Sequence, residues 1–197
     1  MFFFQGFICI LTNKNNYSSN RKLIIVKMID IIKPTLLINK EKSIRNIEKI
    51  GNNLKDSKVD FRPHFKTHQS LEIGRWFKKY GINKITVSSV RMAKYFSKEW
   101  DDITIAFPIN ILEIDDIISL QEKIKINILI DSYDILSLLE NKLRNTINIY
   151  LKVNVGYDRA GVDYNSDLIE NIISYCDSSS KLNFVGFLSH FGDTYNS

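Results

Sequence analysis

From residue 33 onward, short apolar runs alternate with longer segments in which apolar residues recur every three or four positions. The runs at 35–38, 59–66, 84–88, 103–107, 126–130, 147–155 and 182–189 are rich in Ile, Val and Phe and predict β-strands. The segments 43–55, 69–79, 90–98, 111–123, 133–142 and 167–175 predict amphipathic helices; in the first, Ile44, Ile47, Ile50 and Leu54 fall near one face. Asp131 or Ser132 can cap one helix start and Ser166 another. Gly81, behind Lys78, Lys79 and Tyr80, has the form of a helix end with cations at its negative pole. Strand–helix alternation without a repeat period or linker predicts a parallel sheet covered by helices, either a barrel or doubly wound. The runs 103–107 and 126–130 suit strands buried on both faces. After the first strand, Ile38-Asn39-Lys40-Glu41-Lys42 contains no glycine-rich phosphate loop, which favours the barrel.

Charge changes this picture little. The chain has 197 residues and a formal charge of +5, but residues 1–27 hold Lys14, Arg21, Lys22 and Lys27 and no acid. Without them, basic and acidic side chains nearly balance and alternate, as on solvated helix faces, and no basic stripe points to nucleic acid. The apolar start, Met1 to Leu11, is far shorter than the ~20 residues that span a bilayer and lacks a basic lead-in and a cleavage site. A weak signal peptide is one reading of this segment; the plainer one, which we favour, is an extension outside the fold over 1–27, with Met28 as the functional start and 28–197 as the domain. Cys9 and Cys176 show no metal-ligand spacing and no disulfide framework, so a cytoplasmic setting is expected, without membrane association.

Three segments carry candidate chemistry. In 59–68, alternation puts Val59, Phe61, Pro63 and Phe65 on one face and Asp60, Arg62, His64 and Lys66 on the other, with His68 just beyond. A row of ionisable groups is costly inside an ordinary core but fits a strand reaching the mouth of a barrel, where barrel active sites form. An edge strand with its polar face in water, which Pro63 would suit, explains the row equally well, and the residues alone leave both open. Metal binding by His64 and His68 lacks a nearby third ligand. In 149–162, a buried strand runs into a loop where Gly156 and Gly161 flank Arg159 and can aim it at the strand ends; a surface arginine is the plainer alternative. In 184–195, a strand ends at His190, followed by Gly192 and Tyr195. Alone, His190 would suit a structural role, but three strands ending in Lys, Arg and His would converge on one barrel face.

These segments resemble, in order and spacing, the alanine-racemase-like (fold-type III) enzymes that use pyridoxal phosphate. Arg62-Pro63-His64-Phe65-Lys66-Thr67-His68 is most similar to the Arg-Pro-His-x-Lys-Thr-His motif of the D-threonine aldolase and D-serine dehydratase branch. The resemblance implies an incomplete TIM-type (β/α)8 barrel, with 35–38 joining a second β-domain and about six barrel strands counted from 59–66. It implies that Lys66 is the catalytic lysine and binds the cofactor covalently. It further implies that Arg159 lies near the cofactor's phenolic oxygen or the substrate carboxylate, that His190 lies against the ring, and that Tyr195 helps hold the cofactor. Arg62 and His64 are weaker candidates for substrate contact, and together with His68 they would lower the proton affinity of Lys66.

The chain departs from the pattern at Asp193, where the family often has histidine. It also lacks counterparts of the last barrel strands, the glycine-rich phosphate site and the metal-bearing C-terminal β-domain, so we expect a fragment of a longer, homodimeric parent. The activity implied is a lyase reaction on D-amino acids, aldol cleavage or dehydration, with a divalent metal as a further possibility in the parent. An amino-acid racemase and a non-catalytic pyridoxal-phosphate carrier are the alternatives.

Overall fold

The computed structural model describes Ile32, residues 35–156 and residues 158–191. Six helices and six strands alternate through these residues: α1 (Lys40–Leu54), α2 (Leu71–Lys78), β1 (Lys84–Val87), α3 (Val90–Phe96), β2 (Asp102–Pro108), α4 (Ile114–Gln121), β3 (Lys125–Ile130), α5 (Ile135–Lys142), β4 (Ile147–Asn154), β5 (Val162–Asp163), α6 (Leu168–Ser178) and β6 (Leu182–Leu188). The strands form one parallel sheet in the order β1-β2-β3-β4, with β6 beside β4 and the short β5 on the C-terminal tip of β4. This is an open sheet of the α/β barrel type.

Helix starts follow local chemistry. The Asn39 side chain accepts the Lys42 N–H at 2.9 Å, Ser70 accepts from Ile73 and Ser89 accepts from Met92, so each satisfies an orphan donor. Ser132 and Ser166 do similar work in the turns before α5 and α6, accepting from Asp134 and Leu168 at 3.3 Å. Gly81, beyond α2, has φ +76°, the left-handed value expected of a residue that closes a helix.

The sheet sorts its residues by face. Ile85, Val87, Ile103, Ile105, Ile126, Ile128, Ile130, Ile147, Ile149 and Leu151 join one core with Phe77, Phe96, Trp100, Ile117, Leu136 and Ile172 from the helix layer. The alternate positions face the inside of the open barrel and are largely polar: Thr86, Thr104, Asn127 and Lys152 are all buried. Leu129, also buried, lies on this inner side, outside the helix-side core. The sheet is thus buried on both faces at 126–130, as expected, but its inner face is lined by hydrogen-bonding groups.

Two expected strands take another form. Residues 35–38 belong to no strand. Segment 59–66 meets β1 at a single isolated parallel bridge, His64 to Thr86, and then winds into a 3-10 turn, Phe65–Thr67. The cause is local: Pro63 has no N–H to give a ladder, and His64 caps the turn. The six strands therefore include β5, which escaped the sequence pattern, and not 59–66. A second irregularity matters for the site. In β6, Phe184 pairs with Ile149 but Gly186 pairs with Tyr150, so Val185 is an extra residue, a β-bulge.

Candidate active site

Lys66 owes its position to its neighbour. Phe65 is completely buried, its ring centroid 5.4 Å from that of Phe77, 5.0 Å from Phe96 and 5.1 Å from Trp100. Gly74 makes room for it, since a Cβ there would stand 3.0 Å from Phe65 Cε2. With Phe65 as the inward anchor, the next side chain in the turn, Lys66, points out of the core and is exposed. His64 Nδ1 accepts the Lys66 backbone N–H at 3.2 Å, so a neutral His64 carries its proton on Nε2. Burial first, and then the charges of Lys66 and His190, hold His64 down at about 4, so it is neutral at pH 7.

Arg159 stands in the loop between β4 and β5. Asn154 ties this loop down: its Oδ1 accepts from Gly156 N–H at 3.2 Å and Asp158 N–H at 3.1 Å, and its Nδ2 donates to Asp158 and Asp163. Gly161, at φ +112°, lies so close to β4 that a Cβ would sit 2.8 Å from Asn154 N and 2.9 Å from Val153 C.

His190 follows the end of β6. Its proton affinity is lowered by burial and then by the charges of Arg159, Lys66 and Lys152. Lys66, Arg159 and His190 therefore share one electropositive region at the C-terminal ends of the strands, together with His64. Sequence reading missed a member of this group. Lys152, only 7% exposed on the inner face of β4, is driven towards the neutral amine by burial and Arg159, with Asp131 opposing. A period-two reading of 147–154 would have found it, because Asn148, Tyr150, Lys152 and Asn154 share one parity.

Other candidates lie elsewhere. Arg62 points to the opposite end of the sheet, where its guanidinium meets Asp102 at 2.7 Å and the Ile85 carbonyl at 3.2 Å. Asp60, on the same face, is paired with Lys84 at the start of β1. His68 packs among Phe65, Phe77 and Phe96, and burial lowers its proton affinity to about 4. Tyr195 and Asp193 lie outside the described residues, as does the 1–27 extension. Among the described residues no three His, Cys, Asp or Glu side chains cluster to hold a metal, and no helix is long and apolar enough to cross a membrane.

Parallel strands, helices on the outer face and a cationic cluster at the strand C-termini define a barrel-type α/β domain with its site where such folds place it. Residues 38–196 match the alanine racemase N-terminal domain family, and the chain belongs to that family. It is 32% identical over 154 residues to a D-serine dehydratase of Dictyostelium discoideum, a match covering 70% of this chain and 39% of that protein. Among solved structures, D-threo-3-hydroxyaspartate dehydratase from Delftia sp. HT23 superposes with a TM-score of 0.73 at 21% identity, over 79% of this chain and 42% of its own. D-threonine aldolase from Filomicrobium marinum gives 0.72 at 19% identity, over 78% and 43%. The chain spans about two-fifths of the length of these relatives.

Proposed function

We propose that this chain is the cofactor-binding part of a pyridoxal-phosphate-dependent lyase acting on D-3-hydroxy amino acids, by dehydration or aldol cleavage. The observation that carries the reading is the cationic cluster itself, in which Arg159, Lys66 and Lys152 add to burial in depressing the proton affinity of His190. Such a concentration of positive charge suits an anionic, phosphate-bearing aldehyde, and an exposed amine at its rim suits covalent attachment of one. The residues present thus fit the cofactor.

In this reading Lys66 would hold the cofactor through Nζ, Arg159 would supply a cation for its phenolic oxygen or for the substrate carboxylate, and His190 would contact its ring. Tyr195 is assigned to cofactor binding by family resemblance alone. Bound pyridoxal phosphate supplies an electron sink that stabilises negative charge at the substrate Cα. The protein's share is acid–base work and orientation. Lys66 would take or return a proton at Nζ. His64, with Nδ1 held by the turn, can offer its Nε2–H to an acceptor beside Lys66. The dehydratase at 32% identity favours a lyase over a racemase.

Incubation of the full-length protein with pyridoxal phosphate and D-serine or D-threonine tests this. The expected products are pyruvate and ammonia, or glycine and acetaldehyde, with a loss of at least about a thousandfold in Lys66→Ala. Interconversion of D- and L-alanine without these products would select the racemase, and cofactor binding without turnover would select a carrier.

A further inference from the structure

Segment 59–64 delivers Lys66 to the site, yet its backbone is held weakly. One bridge joins it to β1, with the Thr86 N–H donating to the Pro63 carbonyl at 2.8 Å. A stretch with so little main-chain bonding can slip, and a slip of one residue would turn His64 and Lys66 to the wrong face.

The side chain of Arg62 supplies what the backbone lacks. Nη1 donates to Asp102 Oδ1 at 2.7 Å and to the carbonyls of Ile85 at 3.2 Å and Asp102 at 3.4 Å. Asp102 is itself fixed: Asn127 Nδ2 donates to the same Oδ1 at 3.0 Å. Asn148 Nδ2 donates in turn to Asn127 Oδ1, and Asn183 Nδ2 to Asn148 Oδ1, each at 2.8 Å. One rung each from β2, β3, β4 and β6 thus forms a polar ladder across the inner face, with Arg62 at its end. Asn127, in the middle, is 2% exposed, and its Nδ2 also lies 3.2 Å from both the Ile103 carbonyl and Thr104 Oγ1, so the ladder is fixed to β2 independently of Arg62.

We propose that Arg62 is a positioning residue: anchored by the Asp102-Asn127-Asn148-Asn183 ladder, it sets the register of the segment that carries Lys66. The link to chemistry rests on the function proposed above, in which Lys66 is the reactive amine. A half-buried ion pair that merely added stability would act on the whole sheet. A register pin acts on one segment.

Two readouts separate these. Hydrogen exchange of the Thr86 amide reports the segment directly, and borohydride trapping of pyridoxal phosphate with peptide mapping reports Lys66. In Arg62→Ala, Thr86 exchange should rise about tenfold or more while the amides of β3 and β4 keep their protection, and Lys66 labelling should slow by about tenfold. Arg62→Lys, which keeps the charge on a shorter side chain, should recover part of both effects, and Asp102→Asn should produce a smaller version of them. Unchanged Thr86 protection in Arg62→Ala, or an equal loss across all strands, overturns the proposal. In Asp102→Asn, which keeps the side-chain shape, the same two results would overturn it if Arg62→Ala fails to fold. Should Thr86 respond as expected while wild-type Lys66 takes no label, the register pin stands and the cofactor assignment falls.

Discussion

A histidine kept neutral by burial makes a fold acid-sensitive, and His64 and His68 are both held at about 4 against an ordinary 6.5. The unfolded chain then takes up protons first as pH falls, so their contribution is fully present above about pH 6.5 and is lost progressively towards pH 4. The loss is at most roughly 3 kcal/mol for each. His68→Leu, placed among aromatic rings, should therefore flatten the acid limb of stability, read as urea midpoints between about pH 7 and 4.5. An equally steep limb in the variant would locate the sensitivity elsewhere. Lys152 gives a second test. Lys152→Met removes one of the cations acting on His190, so the His190 titration followed by NMR should move up towards its ordinary value. The sequence made Lys66, Arg159 and His190 visible because each closes an apolar run next to glycine or a polar residue. Lys152 hid inside such a run, where outward isoleucines and leucines mask the inward parity. Arg62 was seen, but alternation alone could not say which end of the sheet its long side chain would reach.

Among the elements, strands with apolar residues on the helix side were readable from composition, because β1, β2, β3, β4 and β6 all carry Ile, Val, Leu or Phe at those positions. Segment 59–66 carries the same signature, yet it lacks a ladder because Pro63 removes a donor and His64 starts a turn. β5 is two residues long and depends on contact with the tip of β4, which no local pattern announces. Gly161 makes that contact possible, and its replacement should show how much the Arg159 loop relies on it. Gly161→Ala combines a left-handed φ with backbone overlap and should cost at least roughly 2 kcal/mol in denaturant unfolding. Gly81→Ala, left-handed but with open space around the added carbon, should cost only about 1 kcal/mol. Equal costs would mean that the close approach to β4 carries no energy.

For the molecule as a whole, the order of the sheet follows from strand–helix alternation, and the matched structures share it at TM-scores of 0.72 and 0.73. The polar inner face could not be anticipated from apolar runs alone, since barrel interiors are more often filled by branched aliphatic side chains. Here the outer core supplies the hydrophobic drive and the inner face supplies specificity through amides. The sheet is open, and β6 presents half-exposed Val185 and Phe187 along a strand paired with β4 on one side. Such an edge recruits other strands. The 197-residue chain should self-associate on concentration, and Phe187→Lys should reduce the oligomer fraction in sedimentation velocity.

Val185 has a consequence out of proportion to its size. Before it, Leu182 and Phe184 turn towards the helices; after it, Phe187 takes that side and Leu188 turns inward, lining a cavity with His64, Thr104 and Tyr150. The inserted residue works as a phase shift, exchanging the roles of odd and even positions for everything downstream. His190 reaches the side of the lysines and Arg159 because the bulge absorbs that residue: deleting Val185 should leave the imidazole where it is, whereas a ladder that took Val185 into its register would turn His190 towards the helix layer.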